Sequence, residues 1–167
     1  MIPAGPLRAP LDAQLERTQA LIVLGEIARG APVVAKAEAV RIPVFRGRLE
    51  PDPQALIALA GKEVLAFAGI ADPQKFFATL AAAGIGPAAA RAFPDHHVYS
   101  ARNAARLLAE AETRGLDLVT TEKDVARMSG DPRLATLRAR AKSLPVELML
   151  DREAELRSLM LAAIRGR

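Results

Sequence analysis

The two histidines of the chain stand side by side, at His96 and His97, in the segment FPDHHVY. Imidazole changes charge near neutral pH, and a carboxylate such as that of Asp95 stabilises its charged form. The segment follows a predicted strand, and ligands of open parallel sheets bind at the loops after the carboxyl ends of strands. The pair is therefore a candidate for acid–base chemistry; the alternative is a surface or capping role.

A second polar cluster, TTEKD, occupies residues 120–124, between a predicted strand and a predicted helix. Thr121 is suited to cap that helix, and Glu122 and Asp124 favour the positive end of its dipole. The same hydroxyl, acidic and basic groups, including Lys123, also suit a phosphate or hydroxyl ligand. Both interpretations remain open from the residues alone.

A third segment, FAGIADP, covers residues 67–73 and contains Gly69, which allows a tight turn or a close backbone approach. Phe76 and Phe77 follow it. Adjacent helix positions diverge, so one ring could face an apolar ligand or an interface, although packing in the core is the favoured interpretation.

The net charge is +4, and most of the basic residues are arginines, whose planar fork holds two phosphate oxygens at once. Arg8 ends a rigid segment, PAGPLR, that could reach a phosphate. A basic stripe with interleaved aromatics is missing from the sequence, so nucleic acid is not predicted as a partner.

The composition is globular, with 51% hydrophobic and 25% charged residues among 167. There is no cysteine, which excludes disulfides and thiolate metal sites, and no metal site is predicted. The patterns GxxxxGK[ST], GxSxG and HExxH do not occur, so the sequence carries no P-loop phosphate cradle. No signal peptide or membrane span is predicted.

Hydrophobic periodicity and turn residues predict an α/β fold, with a small, mostly parallel sheet flanked by helices. Strands are predicted at residues 20–25, 39–49, 63–67, 89–93, 116–120 and 146–150. Helices are predicted at residues 11–18, 73–83, 100–114, 123–128 and 132–141, with a last one capped by Asp151. The apolar strand at 20–25 should need neighbours on both faces, and we expect those neighbours to be missing from this sequence.

Taken together, the motifs resemble those of the tetraacyldisaccharide 4'-kinase family, the lipid A kinases. They occur in the family's order with similar spacing: GPLRxPL at 5–11, FxGIxxP at 67–73 followed by Phe76 and Phe77, FxDH at 93–96, and TEKD at 121–124. The resemblance implies a carboxyl-terminal α/β half at 54–167. A β-strand linker at 37–53 and a remnant of a P-loop NTPase-like sheet at 1–36 would precede it.

The resemblance implies transfer of the γ-phosphate of ATP to the 4'-hydroxyl of a tetraacyldisaccharide 1-phosphate. ATP and Mg²⁺ belong to the full family enzyme; neither is expected to bind this chain tightly, because the P-loop half is a missing partner. His96 matches the family's catalytic histidine, which works with a carboxylate of that half. The expected substrate- or phosphate-binding residues are Arg8, Asp95, Thr121, Glu122, Lys123 and Asp124.

One position departs from the family pattern: Ala9 stands where a glutamate commonly follows the arginine. With the missing P-loop, this indicates a truncated gene product, a cut fragment or a degenerate copy, inactive on its own.

The lipid substrate implies peripheral contact with the cytoplasmic face of the bacterial inner membrane. Two alternatives remain: a DHH-type metal-dependent phosphoesterase, which needs further aspartates, and a non-catalytic lipid- or substrate-binding module.

Overall fold

The computed structural model describes residues 9–25 and 27–165. The helices are α1 (Leu11–Leu15), α2 (Ala31–Ala39), α3 (Pro53–Leu59), α4 (Pro73–Ala82), α5 (Ala101–Arg114), α6 (Glu122–Arg127), α7 (Ala135–Arg140) and α8 (Glu153–Arg165). The strands are β1 (Leu21–Leu24), β2 (Val44–Pro51), β3 (Val64–Ala68), β4 (Pro87–Ala92), β5 (Asp117–Thr121), β6 (Lys142–Leu144) and β7 (Val146–Leu150). The chain forms two compact units, Pro51–Val146 and the segments Met1–Glu50 with Glu147–Arg167.

The unit Pro51–Val146 contains a four-stranded sheet in the order β4-β3-β5-β6, and every neighbouring pair is parallel. Strands alternate with helices along the chain, which is the pattern that places a parallel sheet between helical layers. The predicted fold class, α/β with a small parallel sheet flanked by helices, is confirmed.

Helices α4 and α5 begin at the capping residues that the sequence predicts. The Asp72 carboxylate accepts a hydrogen bond from the Lys75 amide at 3.1 Å, and Pro73 is the first residue of α4. Ser100 caps α5 in a reciprocal pair with Asn103, and Gly115 ends the helix in the left-handed conformation at φ 64°. These local signals place the loops on which the candidate site depends.

The core of this unit lies on both faces of the sheet. Strand β3 is buried at all five positions, as expected for a central parallel strand covered on both sides. Leu65 and Phe67 pack with α5 residues on one face, while Val64 and Ala66 pack with α4 residues on the other. Phe76 and Phe77 are both buried in the second cluster, with ring centroids 5.7 Å apart, so the core interpretation of this pair is correct.

The other unit contains a three-stranded sheet in the order β1-β2-β7, with β1 and β2 parallel. One face of β1 packs through Leu21 on a small cluster around Leu15 and Ala37. On the other face Ile22 and Leu24 are 40% and 54% exposed. Within the described residues only one face of β1 is therefore covered, and the expectation that the neighbours of its other face lie outside this sequence remains a prediction.

Two sequence predictions need correction. The alternating strand predicted at residues 39–49 begins only at Val44, because α2 occupies the chain up to Ala39. The strand at 146–150 was predicted to join the parallel sheet, but β7 pairs with β2, and the fourth parallel strand is β6. The amide of Asp151 donates to the Arg46 carbonyl at 3.0 Å, which anchors the end of β7 beside β2.

The division into residues 1–36, 37–53 and 54–167 remains a prediction. The compact units differ from it, since they group residues 147–165 with residues 9–50. Helix α8 buries Leu156, whereas Met160 and Ile164, four and eight residues further along the helix, are 57% and 70% exposed. Among the described residues, no helix is long and apolar enough to cross a membrane.

Candidate active site

Three segments meet at the carboxyl edge of the four-stranded sheet. They are the loop after β3 with Gly69, the loop after β4 with His96, and the first turn of α6, directly after β5, with Asp124. Strand β3 lies between the other two, with Ala68 opposite Ala92 at the end of β4. Because adjacent parallel strands end at the same edge, the three motifs predicted from the sequence are brought together.

Asp124 is the buried centre of this arrangement, with a fully buried side chain. Its carboxylate accepts the Gly69 amide, 3.2 Å from each oxygen, and the Thr121 hydroxyl at 2.7 Å. Thr121 in turn accepts the Asp124 amide at 3.2 Å and caps α6, as predicted. A buried carboxylate needs such donors, because burial without partners is costly. Asp124 therefore ties the loop after β3 to the start of α6.

Arg127 supplies the positive charge beside Asp124, and it is not among the site residues predicted from the sequence. Its Nη1 lies 3.2 Å from Oδ1 of Asp124 and also donates to the Gly69 carbonyl. Its Nη2 lies 3.4 Å from Nδ1 of His96. The available signal was the i,i+3 spacing from Asp124 on one helix face.

His96 occupies a strained and exposed position on the loop after β4. The His97 amide donates to the Pro94 carbonyl at 3.2 Å and closes a turn, in which His96 is the third residue with φ 56°. That conformation favours glycine or asparagine. The Asp95 carboxylate accepts the His96 amide at 2.9 Å, and the imidazole side chain is 83% exposed. The loop thus presents a solvent-accessible ring from a defined backbone.

His97 has a different environment, although it is adjacent in sequence. Its ring stacks on Phe93 with centroids 4.6 Å apart and meets Tyr99 edge-on at 5.0 Å. Its Nε2 lies 3.2 Å from Oδ1 of Asn103. His97 packs the loop against the aromatic cluster, which leaves His96 as the histidine available to a ligand.

The remaining predicted site residues divide by exposure. Glu122 and Lys123 are exposed, and neither makes a side-chain hydrogen bond or ion pair with another described residue. Arg8 lies outside the described residues. Ala9 is exposed, and its carbonyl accepts the Gln14 side chain at 2.6 Å.

Tyr99 lies beneath the loop with a buried hydroxyl that has no hydrogen-bond partner among the described residues. Its ring meets Phe67 and Phe93 edge-on, at centroid distances of 5.8 Å and 5.2 Å. Burial, together with the nearby Asp124 carboxylate, raises the pKa of the phenol well above its ordinary value. Tyr99 therefore keeps its proton to a higher pH in the folded protein than in the unfolded chain.

Within the described ranges 9–25 and 27–165, no three His, Asp or Glu side chains come close enough to hold a metal ion. Nothing in those ranges supports the phosphoesterase alternative, whose two-metal chemistry needs several carboxylates in one site. The chemistry available at the edge of the sheet is that of an exposed imidazole held beside a buried carboxylate and a guanidinium.

The fold and this geometry define an α/β protein with candidate acid–base groups at the carboxyl edge of a parallel sheet. A sequence model of the family described as tetraacyldisaccharide-1-P 4'-kinase matches residues 1–165. The chain belongs to this family, as its motifs indicated.

Individual relatives agree with this assignment. The tetraacyldisaccharide 4'-kinase of Rhodopseudomonas palustris (strain BisA53) is 51% identical over 164 residues, which cover 98% of this chain and 48% of the relative. That of Bradyrhizobium sp. (strain BTAi1 / ATCC BAA-1182) is 49% identical over 170 residues, covering 100% and 49%. The chain thus spans about half the length of the curated relatives it matches.

A solved structure is also similar, that of the "apo" form of LpxK from Aquifex aeolicus in complex with ATP. The two structures superpose with a TM-score of 0.61 at 26% sequence identity, over 97% of this chain and 47% of the other. The similarity therefore extends from sequence motifs to backbone architecture.

Proposed function

We propose that this chain supplies the carboxyl-terminal half of a lipid A 4'-kinase. In that role it acts with an amino-terminal P-loop half to phosphorylate the 4'-hydroxyl of a tetraacyldisaccharide 1-phosphate. The observation that carries the proposal is the placement of His96. It stands exposed in a strained turn at the carboxyl edge of the sheet, within the motif that matches the family's catalytic histidine.

Phosphoryl transfer depends on positioning and charge stabilisation more than on covalent chemistry by the protein. In the proposed mechanism the 4'-hydroxyl loses its proton to a carboxylate of the amino-terminal half. His96 orients that carboxylate and stabilises its charge through a hydrogen bond from the ring. The 83% exposure of the His96 side chain leaves it accessible to a group outside this chain.

The TEKD motif divides into two proposed roles. Thr121 and Asp124 build the site, because their side chains are engaged with each other and Asp124 is buried. Glu122 and Lys123 are the exposed members, so they are proposed to contact the substrate. Asp95 is proposed to hold the His96 backbone. Arg8 is proposed to contact a phosphate.

The described residues do not fit a tight site for ATP or Mg²⁺. The chain contains no GxxxxGK[ST] motif to wrap phosphates. The carboxylates of residues 9–25 and 27–165 do not gather into a cluster that could hold a cation. Nucleotide and metal binding are therefore assigned to the amino-terminal half, and no step at His96 is derived from them.

The proposed location and partners of the chain follow from the proposed substrate. An acylated disaccharide resides in a membrane, so the chain is proposed to make peripheral contact with the cytoplasmic face of the inner membrane. No nucleic acid is proposed as a partner. The three-stranded sheet is proposed to continue into the sheet of the P-loop half.

Reconstitution tests this proposal directly. The purified chain is assayed for 4'-phosphorylation alone, and then with the separately expressed amino-terminal half of the R. palustris relative; that half alone is the control. We expect no turnover by either part alone and measurable turnover by the mixture. Turnover by the isolated chain contradicts the proposed division of labour. A folded, inactive mixture favours the non-catalytic binding module.

A further inference from the structure

The Arg127 side chain contacts all three segments of the candidate site. Its Nη1 donates to the carbonyl of Gly69, after β3, and lies 3.2 Å from the carboxylate of Asp124, after β5. Its Nη2 lies 3.4 Å from Nδ1 of His96, after β4. A planar guanidinium spreads its donors over separate nitrogens, so it can reach partners that lie too far apart for the one nitrogen of an ammonium. The loop bearing His96 is thereby linked to the buried carboxylate.

The contact with His96 favours one of the two neutral forms of the ring. A guanidinium has only donors, so Nδ1 of His96 must act as the acceptor. In the neutral ring the proton is then on Nε2. The nearest carboxylate oxygen to Nε2 is Oδ2 of Asp95 at 3.8 Å, which is too long for a hydrogen bond. Nε2–H therefore remains available to an acceptor outside this chain.

We infer that Arg127 is a positioning residue for His96, which selects the Nε2–H tautomer and fixes the direction of the ring. The inference rests on the proposed function only where it gives His96 a catalytic role; the geometry stands without it. His96 is held in a left-handed backbone conformation, and such strain persists when surrounding contacts impose it. Arg127 supplies the side-chain contact, and Asp95 supplies the backbone contact.

A simpler role for Arg127 would be to neutralise the buried Asp124. Arg127→Lys separates the two roles. Lysine retains a positive charge beside Asp124, but its one nitrogen cannot also take the place of Nη2 beside His96. Arg138→Lys is the matched control, since Arg138 is an exposed arginine on α7 whose contact is with Ser129.

The test is the protonation pattern of the imidazole nitrogens, measured by two-bond ¹H–¹⁵N correlation spectra of the ¹⁵N-histidine-labelled chain at a pH where the rings are neutral. The chain has two histidines, and His96→Asn assigns their signals. We expect wild-type His96 to be a single Nε2–H tautomer. Arg127→Lys should shift its nitrogens towards a tautomer mixture, without change at His97, and Arg138→Lys should change neither ring.

A mixed tautomer at His96 in the wild-type chain overturns the inference, and that result does not depend on the folding of Arg127→Lys. An unchanged His96 pattern in Arg127→Lys also overturns it and leaves Arg127 as a neutralising charge. The readout does not use activity. Failure of the reconstituted kinase would therefore count against the proposed function and not against the role of Arg127.

Discussion

The backbone amide of Gly69 lies 3.2 Å from both carboxylate oxygens of Asp124, although 55 residues separate the two in sequence. This contact joins the loop after β3 to the first turn of α6. It requires a close approach of the backbone, and a side chain at position 69 would obstruct it. A Cβ there would lie 3.0 Å from Cβ of His97 and 3.2 Å from Oδ1 of Asp124.

Gly69→Ala should therefore destabilise the chain by about 1–3 kcal/mol, as overpacking of a filled site does. The loop bearing His97 or the side chain of Asp124 must move to admit the methyl group. Gly86→Ala is the control, because no atom lies within 4 Å of the added Cβ. The free energy of unfolding of both variants is measured by urea unfolding, followed by circular dichroism. Equal stability of the two variants would show that the site is looser than the structure indicates.

Asp124→Asn tests the buried charge. The change leaves the Arg127 guanidinium without its carboxylate, and breaking a buried pair costs about 3–5 kcal/mol. Because Arg127 is 23% exposed, we expect the lower end of that range. Asp131→Asn is the matched control: Asp131 pairs with Arg133 at the surface, where such pairs contribute less than about 1 kcal/mol. Similar losses in both variants, measured by urea unfolding, would contradict the central position of Asp124.

Because of Tyr99, the single tyrosine, we predict that the free energy of unfolding falls at high pH. Its pKa is raised above the ordinary 10.0 in the folded state, so the folded protein keeps a proton that the unfolded chain releases. The stability from this group is present below pH 10 and is lost as pH rises above it. Tyr99→Phe should remove this loss of stability at high pH. At pH 7 the substitution should cost no stability, because the hydroxyl has no hydrogen-bond partner among the described residues.

The check is the absorbance of tyrosinate recorded together with circular dichroism during an alkaline titration. We expect tyrosinate to form only as the fold is lost. Ionisation near pH 10 in a chain that is still folded would show that the phenol reaches solvent, against the buried location in the structure.

Local chemistry made much of the unit Pro51–Val146 predictable. Asp72 before Pro73, Ser100 before α5 and Gly115 after it mark helix ends through contacts within a few residues. The apolar run of β3 identified the central strand for a similar reason, since burial on both faces requires apolar residues throughout. These predictions needed no knowledge of distant contacts.

The assignment of β7 failed because strand pairing is long-range. An apolar strand at 146–150 fits either sheet by composition, and its partner is decided by contacts such as that between Asp151 and the Arg46 carbonyl. The role of Arg127 was missed for the same reason. An arginine at the end of a short helix is typical of a solvated surface, and only the fold brings Gly69 and His96 to it.

The central claim is that His96 is the catalytic contribution of this chain to a lipid A 4'-kinase. The most direct test is the kcat of the reconstituted enzyme with His96→Ala in this chain. Val98→Ala, at a position 85% exposed on the same loop, serves as the control. We predict a fall in kcat of about 10²- to 10⁴-fold for His96→Ala, with unchanged thermal unfolding, and wild-type kcat for Val98→Ala. A folded His96→Ala chain that supports wild-type kcat would contradict the account.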